Sequence, residues 1–296
     1  MAGAALAPAK VNLFLHVGAP GADGYHPLCS LIAFADFGDR LLIHEAEALG
    51  LMAHGRFARD LPAEGENLAL RAARALIAEA RRPIQPFGLS LDKRLPVAAG
   101  LGGGSSDAGA ALRLIRQALE LDISDARLEA VAASLGSDGP ACLWARPTIA
   151  QGRGERLSPA PGLPVLDAVL VNPGAPAPTA QVYRRFDEIG RFGEVAPPPA
   201  PESFESAVEL AGWLAGQRND LQGAAISIAP EIGAALETLA GEPECLLARV
   251  SGSGATSFAL CASDIEADSL AQRVVALEPR WWVRRCRLGG PWADGD

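Results

Sequence analysis

The sequence predicts an α+β, two-layer protein divided into two domains, and three observations predict it. Strand-like apolar segments occur in both halves of the 296-residue chain. Helical segments with apolar residues at i, i+3, i+4 and i+7 lie between them. A proline-rich break at residues 159–164 (PAPGLP) separates the halves, so the domains are set at 1–158 and 159–296. No internal repeat appears.

Val11 to Val17 (VNLFLHV) has the continuous apolar character of a buried strand, and a Gly-Ala-Pro-Gly turn follows it. Leu28 to Phe34 and Asp39 to Glu45 are read as second and third strands. Asn67 opens a helix whose apolar face is Ala69, Ala72, Ala73, Leu76, Ile77 and Ala80. Phe87 to Leu95 alternates Leu89 and Leu91 with Ser90 and Asp92, as a half-buried strand does. The next helix carries Ala108, Ala111, Leu112, Ile115, Ala118 and Leu119 on one face, with Arg113, Arg116, Gln117 and Glu120 on the other. Ser124 caps a further helix that stops at Gly136. In the second half, Asp167 to Val171, Leu247 to Ser251, Thr256 to Ala262 and Trp281 to Arg287 are strands. Pro197 to Pro201 is an extended linker, and Ala267, Leu270, Ala271, Val274 and Leu277 mark the last helix.

Between the strand at Phe87 and its following helix lies the most informative stretch, Pro96, Val97, Ala98, Ala99, Gly100, Leu101, Gly102, Gly103, Gly104, Ser105 and Ser106. Its last seven residues hold four glycines and two serines. Glycine lets backbone amides approach a ligand closely, and a helix start offers unpaired N–H groups with a partial positive charge. Ser105 or Ser106 is the expected N-cap. The loop lacks the lysine of a P-loop and the third glycine of a dinucleotide fingerprint. It predicts a phosphate cradle of another class.

Composition excludes several alternatives. With 26 Lys+Arg against 35 Asp+Glu the net charge is −9, which opposes a non-specific nucleic-acid binder. The five cysteines are scattered and form no CxxC pair, so neither a disulfide frame nor a zinc site is expected. No HExxH or GxSxG motif occurs. Lys10 interrupts the apolar N-terminal stretch, and no apolar run approaches the ~20 residues of a membrane span. The expectation is a cytoplasmic protein without a membrane partner.

A glycine loop binds; transfer needs further groups. Lys10, in Ala7-Pro8-Ala9-Lys10-Val11-Asn12, is either a snorkelling surface lysine or a functional cation. Asp138, in Gly136-Ser137-Asp138-Gly139-Pro140, is alone a turn aspartate. Taken with the loop, these segments resemble the GHMP kinase superfamily. The tetrapeptide Asp23-Gly24-Tyr25-His26 and the late Ser251-Gly252-Ser253-Gly254-Ala255 belong to the same resemblance, which spans residues 8–255.

The resemblance implies an ATP-dependent small-molecule kinase with a ribosomal-protein-like N-terminal domain and a ferredoxin-like C-terminal domain. Pro96 to Ser106 would wrap the triphosphate of ATP, with Mg²⁺ as its counterion. Asp138 would take the proton of the acceptor hydroxyl beside Lys10, whose ammonium stabilises charge on the reacting oxygens. Tyr25 and His26 would hold a cytosine, Asn12 the acceptor near Lys10, and Tyr183 the other side of the base. A partly buried aromatic is the alternative reading of each tyrosine. Asn67 and Lys93 are candidates for the adenine pocket, or equally a helix cap and a surface charge. Gly139 departs from the family pattern of a bulkier apolar residue and is expected to loosen the peptide that positions Asp138. The rival readings are a homoserine or mevalonate type of kinase, against which the Tyr25-His26 pair argues, and a non-catalytic binding module.

Overall fold

The structure is a computed structural model that describes residues 3–292. The first half contains strands β1 (Gly3–Val17), β2 (Leu28–Glu45) and β3 (Gly50–His54), helix α1 (Leu68–Glu79), strand β4 (Phe87–Asp92) and helices α2 (Gly103–Ala118), α3 (Asp125–Leu135) and α4 (Gly139–Trp144). Strands β5 (Thr148–Gly152), β6 (Arg156–Pro159) and β7 (Leu166–Asn172) follow. The chain then forms α5 (Thr179–Ile189), α6 (Ala207–Ala215), α7 (Gln222–Ile228) and α8 (Pro230–Ala240), and ends in β8 (Leu247–Val250), β9 (Ser257–Cys261), α9 (Asp264–Leu277) and β10 (Trp282–Gly289).

One sheet runs through both halves in the order β3-β4-β2-β10-β7-β9-β8, with β1 along the other edge of β2 and the β5–β6 hairpin joined to the start of β2. The halves meet where Leu288 and Gly289 pair with Ala35 and Phe34. Strand β7 is buried on both faces: Leu166, Ala168 and Leu170 enter one core, while Val169 and Val171 enter the core beneath α8 and α9. This is the period-2 alternation of a pleated strand covered on both sides.

Two expected strands are one. Residues 36–39 (Asp-Phe-Gly-Asp) have turn composition, yet β2 continues through them for 18 residues. At Gly38 a Cβ would stand 2.0 Å from the carbonyl oxygen of Ala7, so the glycine permits a close crossing of β1 and does not end the strand. The expected α1 face is found, with Ala69, Ala72, Ala73 and Leu76 in the core. Ser124 caps α3 through Arg127 N–H, as expected. Helix α2, however, is entered through Gly102 in the left-handed region (φ 62°) with no side-chain cap. Ser105 and Ser106 therefore lie inside its first turn. Among the described residues no helix is long and apolar enough to cross a membrane.

Irregularities in β1 aim its side chains. Its register against β2 shifts between Pro8 and Lys10 and again between Asn12 and Phe14, and such bulges commonly re-aim residues beside active sites. The carbonyls around the second shift find other donors. Leu13 accepts from the buried Arg249 at 2.8 Å, and Phe14 accepts from the Ser30 hydroxyl at 2.6 Å.

Further along β1, His16 is 3 % exposed and its Nε2 has no partner. Burial first, then the charges of Arg218 and Arg249 against the opposing Asp220, lower its pKa from 6.5 to about 4. The unfolded chain therefore binds a proton that the folded chain refuses between those values. Stability is full above pH 6.5 and declines as pH falls toward 4, by on the order of 3 kcal/mol. Urea unfolding at pH 7 and pH 4.5 should show this slope in the parent chain and a shallower one in His16→Gln. Equal slopes would remove His16 as its source.

Candidate active site

The glycine loop is anchored from two sides. Lys10 N–H of β1 donates to Leu101 O at 2.8 Å, and Thr256 N–H donates to Ala99 O at 3.0 Å. The Ser251 hydroxyl bridges both partners: it donates to Gly100 O at 2.8 Å and accepts from Asn12 N–H at 3.2 Å. A Cβ on Gly100 (φ 75°) would lie 2.2 Å from Ser251 O, so this junction requires glycine. The first helical bond of α2 runs from Ser106 N–H to Gly102 O at 2.8 Å. The amides of Gly103, Gly104 and Ser105 thus have no intrahelical acceptor, the condition an anion cradle at a helix start requires.

The loop borders a cleft of about 1210 Å³, more than the roughly 300–1,000 Å³ of a single-ligand pocket. Ala98, Ala99, Gly100, Gly102, Gly103, Gly104 and Ser105 line it. Leu101 and Ser106 are buried at 1 % and 0 % exposure and face inward. Pro96 and Val97 are not part of the lining either. Four of the eleven expected loop contacts therefore do not face the cleft.

Beside the loop, Lys10 Nζ stands 3.0 Å from Asp138 Oδ2, the lysine side chain 8 % and the aspartate 35 % exposed. Lys10 is thus no snorkelling surface residue. Asp138 precedes α4 without capping it through its side chain, so the carboxylate is free for the cleft. Gly139 does not loosen this peptide. A Cβ there would lie 2.0 Å from Ala132 O of α3, and the missing side chain lets α4 seat directly on α3 and fix Asp138.

At the far end of the cleft, Tyr25 is 58 % exposed and the Arg153 guanidinium lies 4.0 Å from its ring centroid. Arg153 also pairs with Asp23. His26 Nδ1 is 2.8 Å from Gly18 O, which can only accept, so Nδ1 carries the proton. Its Nε2 faces Asp187 at 3.2 Å, and its ring centroid is 5.1 Å from that of Tyr183. Burial, with the nearby charge of Asp138, pushes the Tyr183 hydroxyl up to about 12 and keeps it a donor. Asn12, Tyr25, His26 and Tyr183 all line the cleft.

Two expected adenine contacts are placed elsewhere. Asn67 Oδ1 caps α1, accepting from Ala69 N–H at 2.9 Å and Leu70 N–H at 3.4 Å. Lys93 is 2 % exposed beneath the first turn of α2, 2.5 Å from Asp39 and 2.8 Å from Asp107. Two carboxylates enclose its ammonium and withhold it from a ligand. The sequence reading did not single out Ser30, Arg153, Thr179 and Asp187 as site residues, because each reaches the cleft only through tertiary packing; Ser253 lay in a quoted glycine motif without a role assigned to it.

Comparisons with known proteins agree with this geometry. The family model for the GHMP kinases N terminal domain matches residues 67–146, and that for GHMP kinases C terminal matches residues 201–278. A 4-diphosphocytidyl-2-C-methyl-D-erythritol kinase from a Caulobacter species is 61 % identical over 97 % of this chain and 98 % of its own length. A crystal structure of 4-(cytidine 5'-diphospho)-2C-methyl-D-erythritol kinase is 34 % identical and superposes with a TM-score of 0.78, covering 98 % of this chain and 100 % of that one. Homoserine kinase from Cytophaga hutchinsonii, at 18 % identity and a TM-score of 0.67 over 98 % of this chain and 96 % of its own, shares the fold alone. With a lysine–aspartate pair set against a glycine-loop helix, and relatives matched over nearly the whole chain, this protein belongs to the GHMP kinase family.

Proposed function

We propose that this chain is the ATP-dependent kinase of 4-diphosphocytidyl-2-C-methyl-D-erythritol. It transfers the γ-phosphoryl group to the 2-hydroxyl and yields the 2-phosphate and ADP, in the methylerythritol phosphate route to isopentenyl diphosphate. The observation that carries this reading is one cleft lined by three groups: the helix-start glycines, the Lys10–Asp138 pair at 3.0 Å, and the aromatic set of Tyr25, His26 and Tyr183. A relative of that name at 61 % identity supports it.

Phosphoryl transfer depends mainly on positioning and on stabilising charge on equatorial oxygens. The loop from Ala98 to Ser105 is suited to hold the ATP phosphates, with Gly103, Gly104 and Ser105 donating N–H groups. Asp138 is placed to accept the proton of the 2-hydroxyl as its oxygen bonds to phosphorus, and Lys10 to balance the charge that passes between them. Tyr25 offers a stacking face, and His26 and Tyr183 the polar contacts, to cytosine.

Among the described residues no group of three metal-ligating side chains occurs, and Asp107 is enclosed by Lys93. The donor set therefore fits a Mg²⁺ held mostly by phosphate oxygens and water, as is common for this ion. When bound, the ion would neutralise phosphate charge. The proposed domain boundary at 158/159 lies in the interval 147–200 between the two family models, at the last residues of β6. A cytoplasmic location agrees with the free cysteines.

ATP-consumption assays with Mg²⁺ test the function. Turnover is expected with the cytidylyl substrate and not with homoserine or mevalonate, and the opposite preference would overturn the assignment. In the same assay Tyr25→Ala should raise KM for the cytidylyl substrate about tenfold, since base–aromatic stacking is worth roughly 1–3 kcal/mol. An unchanged KM would remove Tyr25 from the base pocket.

A further inference from the structure

We propose that Ser30 is a positioning residue for this reaction: it fixes the Asn12 amide with its carbonyl oxygen toward the cleft, as an acceptor for a substrate hydroxyl. The inference rests on the function proposed above. Its physical basis is one proton. The Ser30 hydroxyl lies 2.6 Å from Phe14 O and 2.7 Å from Asn12 Nδ2. A hydroxyl carries a single hydrogen, and a carbonyl can only accept. The Ser30 hydrogen is therefore committed to Phe14, and toward Asn12 the hydroxyl can only accept. The amide NH₂ must face Ser30, which turns Oδ1 the other way.

That oxygen is unusual. Asn12 is 4 % exposed, and its Oδ1 has no hydrogen-bond partner. Buried acceptors are nearly always satisfied, so an orphan beside an active centre calls for a ligand donor. Oδ1 faces Gly252, where a Cβ would come within 3.3 Å of it, and Asn12, Ser30 and Gly252 all border the cleft. Lys10, two residues before Asn12 in β1, holds Asp138. The acceptor thus belongs to the same strand as the lysine that holds Asp138.

Charge and direction then define the ligand. Neither a phosphate nor a carboxylate can donate to Oδ1; an alcohol can. The substrate carries hydroxyls at carbons 1 and 3 flanking the one phosphorylated. The structure assigns one of these neighbours to Asn12, selected because Ser30 leaves an acceptor, and not a donor, in the cleft. The register shift between Asn12 and Phe14 makes this possible, since it places the Phe14 carbonyl on the Ser30 hydroxyl.

The test compares kcat/KM for the substrate with its 1-deoxy and 3-deoxy analogues. The parent enzyme should lose tenfold or more with one analogue, because a site built to bond a hydroxyl rejects a ligand lacking it. In Ser30→Ala that loss should shrink to within about twofold, while KM for ATP stays unchanged. Ser30→Thr and Ser30→Val have the same shape and differ by the hydroxyl, so they guard against a folding defect in the alanine variant. Threonine should restore discrimination, and valine should not. Equal discrimination by the parent, threonine and valine enzymes, or a parallel rise in KM for ATP, would overturn the assignment of Ser30 alone. A parent enzyme that does not turn over the cytidylyl substrate would overturn the functional reading and this assignment with it.

Discussion

Asp138→Asn is expected to lower kcat by about 10²-fold or more, the scale of a general base in proton transfer, with KM for ATP changed by less than a few-fold. The substitution keeps shape and removes the ability to take up the hydroxyl proton. The folding cost is confined to the loss of the Lys10 ion pair. The Asp138 side chain is 35 % exposed, it does not cap α4, and the backbone carbonyl that starts the helix is retained. The loop amides are anchored through Lys10 N–H, Ser251 and Thr256, none of which depends on the carboxylate. Steady-state kinetics together with nucleotide binding by the variant separate the two effects. Near-normal turnover would sink Asp138 as the base, whereas lost ATP binding would move its role to the phosphate side of the cleft. A second consequence follows from the ion pair. Lys10 is 6 % exposed and Asp138 is its ionic partner, so the variant strands a nearly buried ammonium. Lys10→Met added to Asp138→Asn should therefore cost less activity than the two single losses multiplied together.

What the sequence revealed follows from how local each feature is. The strand–loop–helix arrangement was readable because its parts are contiguous, and glycine spacing is itself the geometry. The caps at Asn67 and Ser124 were readable for the same reason, since a capped amide lies within three residues. Lys10 and Asp138 are far apart in the chain, and spacing alone left each with an ordinary reading; only the combination of motifs joined them. Lys93 was misjudged because its neighbours Asp39 and Asp107 lie 54 and 14 residues away, so nothing local marks it as enclosed. Gly139 was taken for a source of freedom, and residues 35–38 were left between two strands; at both Gly139 and Gly38 the backbone crossing is too close for a Cβ. Ser30 lies in an apolar strand and has no sequence signature. Its part depends on a register shift that only the paired strands reveal.

Lys93→Met should destabilise the protein by about 3–5 kcal/mol, the cost of breaking a buried ion network from one side, seen as a fall in Tm of roughly 10 °C. Lys93, Asp39 and Asp107 are 2 %, 0 % and 1 % exposed. Asp39 Oδ1 is already engaged by the N–H groups of Arg94 and Leu95 at 2.6 and 2.8 Å, and Lys93 ties its other oxygen to Asp107 on α2. Methionine preserves the stem and leaves two carboxyls facing each other without a cation. Burial foremost, with Asp39 nearby, already holds the Asp107 carboxyl up to about 8 against the pull of Lys93, and its Oδ1 is unpartnered. Removing the lysine raises it further. A carboxyl whose folded-state pKa is raised contributes stability below its unfolded value, and that stability is lost as pH rises through the folded value. The deficit of the variant should thus be smallest near pH 4 and grow toward alkaline pH. Above the folded-state value, where Asp107 ionises, adding Asp107→Asn should recover part of the deficit by removing one of the opposed charges. The same anchor orients the first turn of α2, since a Cβ on Gly103 would lie 3.1 Å from Lys93 Nζ. The folded fraction of Lys93→Met at low temperature should therefore bind ATP more weakly while KM for the cytidylyl substrate holds. A Tm within about 2 °C of the parent, below the ~1 kcal/mol equivalent for a chain of this size, would show that packing and not this triad holds the phosphate helix in place.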